Sequence, residues 1–365
     1  MTKYLVSILF AFSLILSPKI VLAWGGRGHA AICEAAVFLV KNQSLKEYLQ
    51  NKPQMMGHLC NIPDTSWRST SEQSKKYGDP THFIDIEVLG LKIKDIPADY
   101  RKIVSTYTGS ENKSKDGVKI FSIPTEFGSI WWRADQFYRL ALEEGKKLKA
   151  LPPPTNSKEE QSEEFPYNKA FYNLVVDLGL MGHFVGDAGQ PYHNTSDYDG
   201  YASNHGGIHA YFEDASVAYF GPDLVVQITK KANSMKSASS TPFLKPKSVI
   251  EKMRALSEIS NLEIKAIDKV DPVIKPSIIR IEKGMSLRTP AERKPASVGF
   301  KNFEKLILQE MARSSLLLAN IWEQAYVEAG EPAMKAYKSY RYPLVPEFVM
   351  PDYFDIAKDE APKKN

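Results

Sequence analysis

Along most of the chain, apolar residues recur at intervals of three and four, the period of a helix with one face turned to a core. Over 28–50, Ile32, Ala35, Ala36, Leu39 and Val40 share such a face, which predicts an amphipathic helix. Trp132, Phe137, Leu140 and Ala141 repeat the pattern over 129–151. That segment ends in lysines, which suit the negative end of a helix dipole, just before three consecutive prolines. Similar patterns predict helices over 168–187, 209–219, 248–270 and 303–326. Two stretches break the rhythm. Residues 152–166 combine four prolines with Glu and Ser, and 272–297 are rich in Pro and Lys, so both read as exposed loops. The one strand signal is a weak alternation over 81–88, and no internal repeat is found. No composition break separates two cores, so the expected fold class is all-α, a single multi-helix domain with long loops.

The N-terminus departs from this pattern. Residues 5–16 form a long apolar run behind Lys3 and ahead of Val21-Leu22-Ala23. A membrane span needs roughly 20 apolar residues, so the run is too short and 1–23 reads as a secretory signal peptide. Trp24 is then the mature N-terminus. The protein is expected to be secreted or periplasmic, with no transmembrane helix in the mature chain. A main domain over 24–345 and a C-terminal tail over 346–365 are expected to follow.

The chain of 365 residues, 43% hydrophobic and 25% charged, is of ordinary globular composition, which excludes disorder, collagen and simple coiled coil. Loss of 1–23 removes Lys3 and Lys19 and no acid, lowering the net charge from +4 to +2. Such a near-balance gives no electrostatic argument for nucleic acid as the main partner. The basic stretches 230–247 and 275–301 read as solvated surface. Two cysteines, Cys33 and Cys60, are too few for a disulfide scaffold. In an oxidising compartment they can form one bridge, worth roughly 3 kcal/mol; the alternative is two buried thiols.

Four of the seven histidines lie between His183 and His209. His183 and Asp187, and again His209 and Glu213, stand at i and i+4, on one face of a helix where one cation can take both. His193 follows the Gln190-Pro191 turn signal, which brings a third imidazole back. Zinc accepts this mixture of neutral imidazole and carboxylate, whereas a single pair of this kind is more often a surface ion pair. His205 has no acid nearby in sequence and reads as a loop residue; His58 has no supporting context. In the N-terminal third, His29 follows Trp24 in Trp-Gly-Gly-Arg-Gly-His, where glycines let the backbone fold tightly. A free Trp24 amine and the Trp24 carbonyl could then chelate the metal that His29 binds. Asp64, in Asn-Ile-Pro-Asp, and His82, in Pro-Thr-His-Phe-Ile-Asp, complete the candidates. Arg27, Arg68 and Arg133 are candidates for phosphate contact, with surface arginine the blander reading for each.

These residues resemble the trinuclear-zinc superfamily that contains bacterial zinc-dependent phospholipases C and fungal single-strand-specific zinc nucleases. The most specific part is Gly-His183-Phe-Val-Gly-Asp187-Ala-Gly-Gln-Pro-Tyr-His193, and the framework spans Trp24 to Glu213. The resemblance implies three Zn2+ ions. One is held by Asp64, His82, His183 and Asp187, a second by His193, His209 and Glu213, and a third by Trp24, His29 and the shared Asp187. It also implies a phosphodiesterase domain over 24–345, catalytic roles for Asp64 and Asp187, and a monomer. The short His193 to His209 interval and Glu213 resemble the phospholipases, whereas the tight Trp24 to His29 start resembles the nucleases. The Asp64 to His82 interval is slightly longer than in either.

The first functional expectation is a secreted phospholipase C acting on phosphatidylcholine-like lipids at a membrane or micelle surface. Tyr192, Tyr198, Tyr201 and Tyr211 are offered as aromatic faces for a quaternary ammonium. The alternative is a single-strand-specific nuclease with 3′-nucleotidase activity, the same rings stacking bases. A third reading, a non-catalytic protein using metal as a staple, fits poorly with ligands that include no cysteine.

Overall fold

The computed structural model describes residues 24–235, 240–283, 285–334 and 345–354. The expected signal peptide 1–23 and residues 355–365 of the expected tail lie outside the described residues. Helices dominate, as the periodicity predicts. The longer ones are α1 (Gly25–Leu39), α2 (Pro53–Ile62), α3 (Ile130–Ala150), α4 (Pro166–Ala188), α5 (Leu224–Ser234), α6 (Val249–Asn261) and α7 (Ala296–Glu328).

Helix α4 is the axis of the fold. Every residue from Leu174 to Ala188 is buried, as expected of a helix apolar on all sides. It lies along α3 and also touches α2, α7 and α1, while α1 packs on α2, α7 and α5. Close approach is possible because α4 presents glycines to its neighbours. A Cβ at Gly182 would lie 2.2 Å from Cys33 Sγ, and one at Gly186 would lie 2.8 Å from His29 Nδ1. Cys33 on α1 and Cys60 on α2 are joined by a disulfide, which settles the pairing left open by the sequence.

Several expected elements differ in detail. The helix read over 28–50 stops at Leu39, because Asn42 turns its side chain onto the Leu45 amide and caps a separate short helix, Gln43–Leu49. Glu323 of α7 accepts from the amides of Lys41 and Asn42 in the intervening bend. The helix over 248–270 is interrupted after Asn261 and resumes as Ile264–Val270. The strand signal over 81–88 yields only one isolated bridge, Ile84 to Gly128. Short helices at Glu72–Gly78 and Tyr100–Tyr107 were not anticipated.

The largest correction concerns 272–297. This expected loop forms two antiparallel ladders: β1 (Val273–Lys275) with β4 (Glu292–Arg293), and β2 (Ile278–Glu282) with β3 (Met285–Thr289). Its prolines and lysines flank or decorate the ribbon, leaving Ile278-Ile279-Arg280-Ile281 to pair. Residues 346–354, placed by the sequence in the tail, lie against the helical body. Trp67 Nε1 donates to the Pro346 carbonyl, Gln136 to that of Met350, and the Phe348 ring stands edge-on to Trp67.

Candidate metal centre

Five segments converge at the C-terminal half of α4. Helix α1 brings His29, and α4 brings His183 and Asp187, one turn apart. Asp64 lies just beyond α2 in a π-helical turn, Pro63–Trp67, where Pro63 cannot donate an amide to the regular helical ladder. His82 follows a 3₁₀ turn, and His193 sits in another, Pro191–Asn194. The expected helix over 209–219 is broken into short turns, and its π-helical turn Tyr211–Ala215 carries Glu213. Two candidate carboxylates thus occupy π turns, a conformation often kept for function.

Asp187 is the centre of the arrangement. Its Oδ2 lies 3.1 Å from His82 Nδ1 and 3.2 Å from His183 Nε2. Its Oδ1 faces the other way, 3.1 Å from His29 Nε2 and 3.6 Å from His193 Nδ1. Asp64 Oδ1 is 3.6 Å from His82 Nδ1 and 3.8 Å from His183 Nε2. Asp64, His82, His183 and Asp187 are therefore together, and His29 stacks on His183 with ring centroids 4.1 Å apart. A second group joins through His193 Nε2, 3.0 Å from His209 Nε2 and 3.8 Å from Glu213 Oε2; His209 Nε2 is 2.9 Å from the same oxygen.

Trp24 is fully buried beside them. Its nitrogen donates to Glu213 Oε2 at 3.1 Å, and its indole to the Gly186 carbonyl at 2.8 Å. The Trp24 carbonyl accepts the first helical bond of α1, from Gly28. The expected third set is thus assembled in part: His29 meets Asp187, while the hydrogen bond made by the Trp24 nitrogen is with Glu213.

Backbone carbonyls fix the imidazoles. A carbonyl only accepts, so His183 Nδ1 donates to Cys60 at 2.8 Å and His193 Nδ1 to His82 at 2.6 Å. Each neutral ring then turns an unprotonated Nε2 into the cluster, the outer hydrogen bonding usual for metal ligands. Gln190, which the sequence reading used only as a turn signal, donates to Glu213 Oε2 at 2.7 Å.

The donor set fits cations. Both ring nitrogens of His29, both oxygens of Asp64, Asp187 Oδ1 and Glu213 Oε1 are buried without a hydrogen bond. Burial without hydrogen bonds is costly for such groups, and divalent metals satisfy them. Burial pushes the Asp187 carboxyl up, but His183 and His193 outweigh it and hold it well below the usual range. Asp64 is likewise lowered, burial being outweighed by His183, His82 and Arg68. Burial, then Arg68, brings His82 down to about 4, and burial lowers His193. His183 and His209 are raised against their burial, chiefly by Asp187 and Glu213 respectively. Metal would compete with protons for those two rings.

A cavity of about 610 Å³ opens over His82, His193 and His209 and is walled by Arg68, Phe83 and Tyr198. Of the candidate arginines, only Arg68 stands here, 3.2 Å from Asp64 and 3.3 Å from Asp79. Arg27 instead holds the carbonyls of Ala218, Phe220 and Gly221. Arg133, read as surface, is buried, donating to Gln136 and the Val349 carbonyl among aromatic rings. Tyr192, Tyr198 and Tyr201 line the cavity; Tyr211 points away and donates to the Lys294 carbonyl. His205 does have an acid partner, Asp271, at 2.8 Å, supplied from far along the chain. His58 is exposed on α2. Asp85, on the cavity wall and not among the sequence candidates, is pushed up to about 8 by burial and by Glu87.

Neither a known family nor a curated protein matches the sequence. Among solved structures, the alpha-toxin of Clostridium perfringens aligns at 13% identity with a TM-score of 0.40, over 83% of this chain and 64% of that one. The alpha toxin of Clostridium absonum aligns at 11% identity with a TM-score of 0.39, over 88% of this chain and 67% of that one. The chain thus spans about two thirds of the length of these toxins.

Proposed function

We propose that the protein is a zinc-dependent phosphodiester hydrolase, exported and cleaved before Trp24, that acts as a phospholipase C on phosphatidylcholine-like lipids. The observation that carries the hydrolase reading is Asp187, whose two oxygens face two different imidazole sets. One carboxylate can thereby hold two metals side by side. We assign Asp64, His82 and His183 to the Oδ2 side and His29 to the Oδ1 side; Trp24, whose nitrogen bonds Glu213 here, would complete the latter set. His193, His209 and Glu213 would hold the third metal.

Bound zinc supplies water of lowered pKa at neutral pH and neutralises phosphate oxygens. The chain's own residues do the rest. His82, His193 and His209 face the cavity, so a phosphodiester entering it meets the cluster directly. Arg68 stands at the same wall and can pair with a phosphate oxygen. Asp64, its carboxyl held below the usual range against burial by His183, His82 and Arg68, is the carboxylate we assign to take a proton from the attacking water. Water oxygen bonds to phosphorus, the bond from phosphorus to the glycerol oxygen breaks, and that oxygen leaves with a proton as diacylglycerol.

The lipid preference rests on the outer cavity. Tyr198 offers a ring, and Asp197 and Asp199 offer acidic side chains, the combination that attracts a quaternary ammonium. A nuclease reading is favoured by one feature, Phe83 beside His82 with Asp85 at the same wall. A ring face next to a carboxyl that is protonated at neutral pH suits a nucleobase edge. Initial rates on phosphatidylcholine micelles and on single-stranded DNA, measured with native-terminus protein and zinc, decide between them. Diacylglycerol release supports the phospholipase; DNA cleavage without it transfers the proposal to the nuclease. One zinc per chain with neither activity would leave the metal as a staple.

A further inference from the structure

The hairpin β2–β3 supplies none of the candidate metal ligands, yet its side chains are unusual for a surface. All ten strand residues are exposed. Among them Ile278 is 43%, Ile279 47%, Ile281 70%, Met285 62% and Leu287 47% exposed. A two-stranded ribbon is marginal in water, and a concentrated apolar surface on a soluble protein marks a contact site. The ribbon stands on a firm base. Arg293 pairs with Asp271 at 2.8 Å and donates to the Gly206 carbonyl, and Ser277 bonds to Gly206 and Asn204.

We propose that this hairpin is the element that enters a phospholipid surface and feeds headgroups to the metal centre. The proposal rests on the phospholipase reading and names how that reading meets its insoluble substrate. Three observations support a lipid surface as the occupant. The register places Ile279 and Ile281 on one face with Arg288, and Ile278, Leu287 and Met285 on the other, so no single face is reserved for a protein groove. Between 278 and 289 the charges are Arg280, Lys283 and Arg288 against Glu282, a positive balance that suits the phosphate layer above an apolar interior. Ile279 and Arg288 also line the cavity that opens on His82 and His209, and Arg288 lies over Tyr201 at 5.2 Å. A lipid whose acyl chains stay in the bilayer must raise its phosphodiester into this cavity. The hairpin spans that boundary.

The test is sedimentation of the zinc-loaded protein with phosphatidylcholine vesicles, comparing wild type with Ile281→Glu/Met285→Glu. Both positions are mostly exposed, so the fold tolerates the change, and circular dichroism checks it. Each lost apolar contact should weaken partitioning roughly tenfold. Vesicle hydrolysis should fall in parallel, while hydrolysis of short-chain phosphatidylcholine below its micelle concentration stays unchanged. Equal vesicle binding by both proteins would overturn the hairpin proposal with the phospholipase reading intact. Hairpin-dependent binding without hydrolysis of either lipid would instead sink the phospholipase reading and keep the hairpin. A dimer lost in the variant, with no vesicle binding by the wild type, would assign the apolar surface to a second copy and overturn the proposal.

Discussion

Replacing Asp187 by Asn tests the centre at its most shared atom. Asparagine keeps the shape and one oxygen but places a nitrogen with no free lone pair where the other oxygen stood. The oxygens now face His29 at 3.1 Å on one side and His82 and His183 at 3.1 and 3.2 Å on the other. If the proposed metals are bound, one of the two at Asp187 therefore loses its ligand atom and both lose the negative charge they share. The His193, His209 and Glu213 set is untouched. A metal present at 100 times its dissociation constant stabilises the folded chain by about 2.7 kcal/mol, so losing two costs about 5 kcal/mol. For a chain of this size that is on the order of 10 °C in Tm. Elemental analysis should find the zinc content reduced toward one per chain, and the Tm gap should narrow by about that amount when both proteins are stripped with chelator. Glu213→Gln should lose one metal and less activity. Full zinc in Asp187→Asn, or a Tm gap indifferent to chelator, would refute the bridging role.

Other perturbations probe separate parts. Alanine at both Cys33 and Cys60 removes a link across 27 residues, with an expected loss of about 3.5 kcal/mol in denaturant unfolding; an unchanged midpoint would show that packing alone holds α1 to α2. Protein carrying a residue ahead of Trp24 should bind less zinc and hydrolyse more slowly than the cleaved form, because an amide nitrogen is a poor ligand; equal zinc content would remove Trp24 from the site. Burial raises Glu310 from 4.5 to about 7 in the folded chain. The folded state then binds the extra proton, so stability falls as pH rises from 4.5 through about 7, by about 3 kcal/mol. Glu310→Gln should lack this fall, and a wild-type to variant difference that is flat from pH 5 to 8 would contradict it.

The sequence revealed the parts whose geometry is local. His183 with Asp187 and His209 with Glu213 meet because four residues make one turn, even though the turn at Glu213 proved to be π-helical. The helical pattern over 168–187 likewise corresponds to α4. What stayed hidden depends on distant partners. Asp271 reaches His205 and Arg293 from separate segments, and nothing in the residues around His205 signals it. Arg133 reads as surface because of its charge, yet aromatic rings and two carbonyl oxygens receive it inside. The hairpin was missed because prolines and lysines outweighed a short strand pattern that buries neither face.

The disulfide has a consequence for maturation. Its sulfurs rest against Gly182, and the next residue on α4 is His183. Helix α1 carries His29 one turn before Cys33, and α2 leads from Cys60 directly to Asp64. Cys60 also lends its carbonyl to His183. Thiol oxidation and metal uptake thus act on the same juxtaposition of helices, and thermodynamic reciprocity binds them: whatever favours one favours the other equally. Reducing the Cys33–Cys60 bond should therefore weaken metal affinity, and bound metal should make the bond harder to reduce by the same factor.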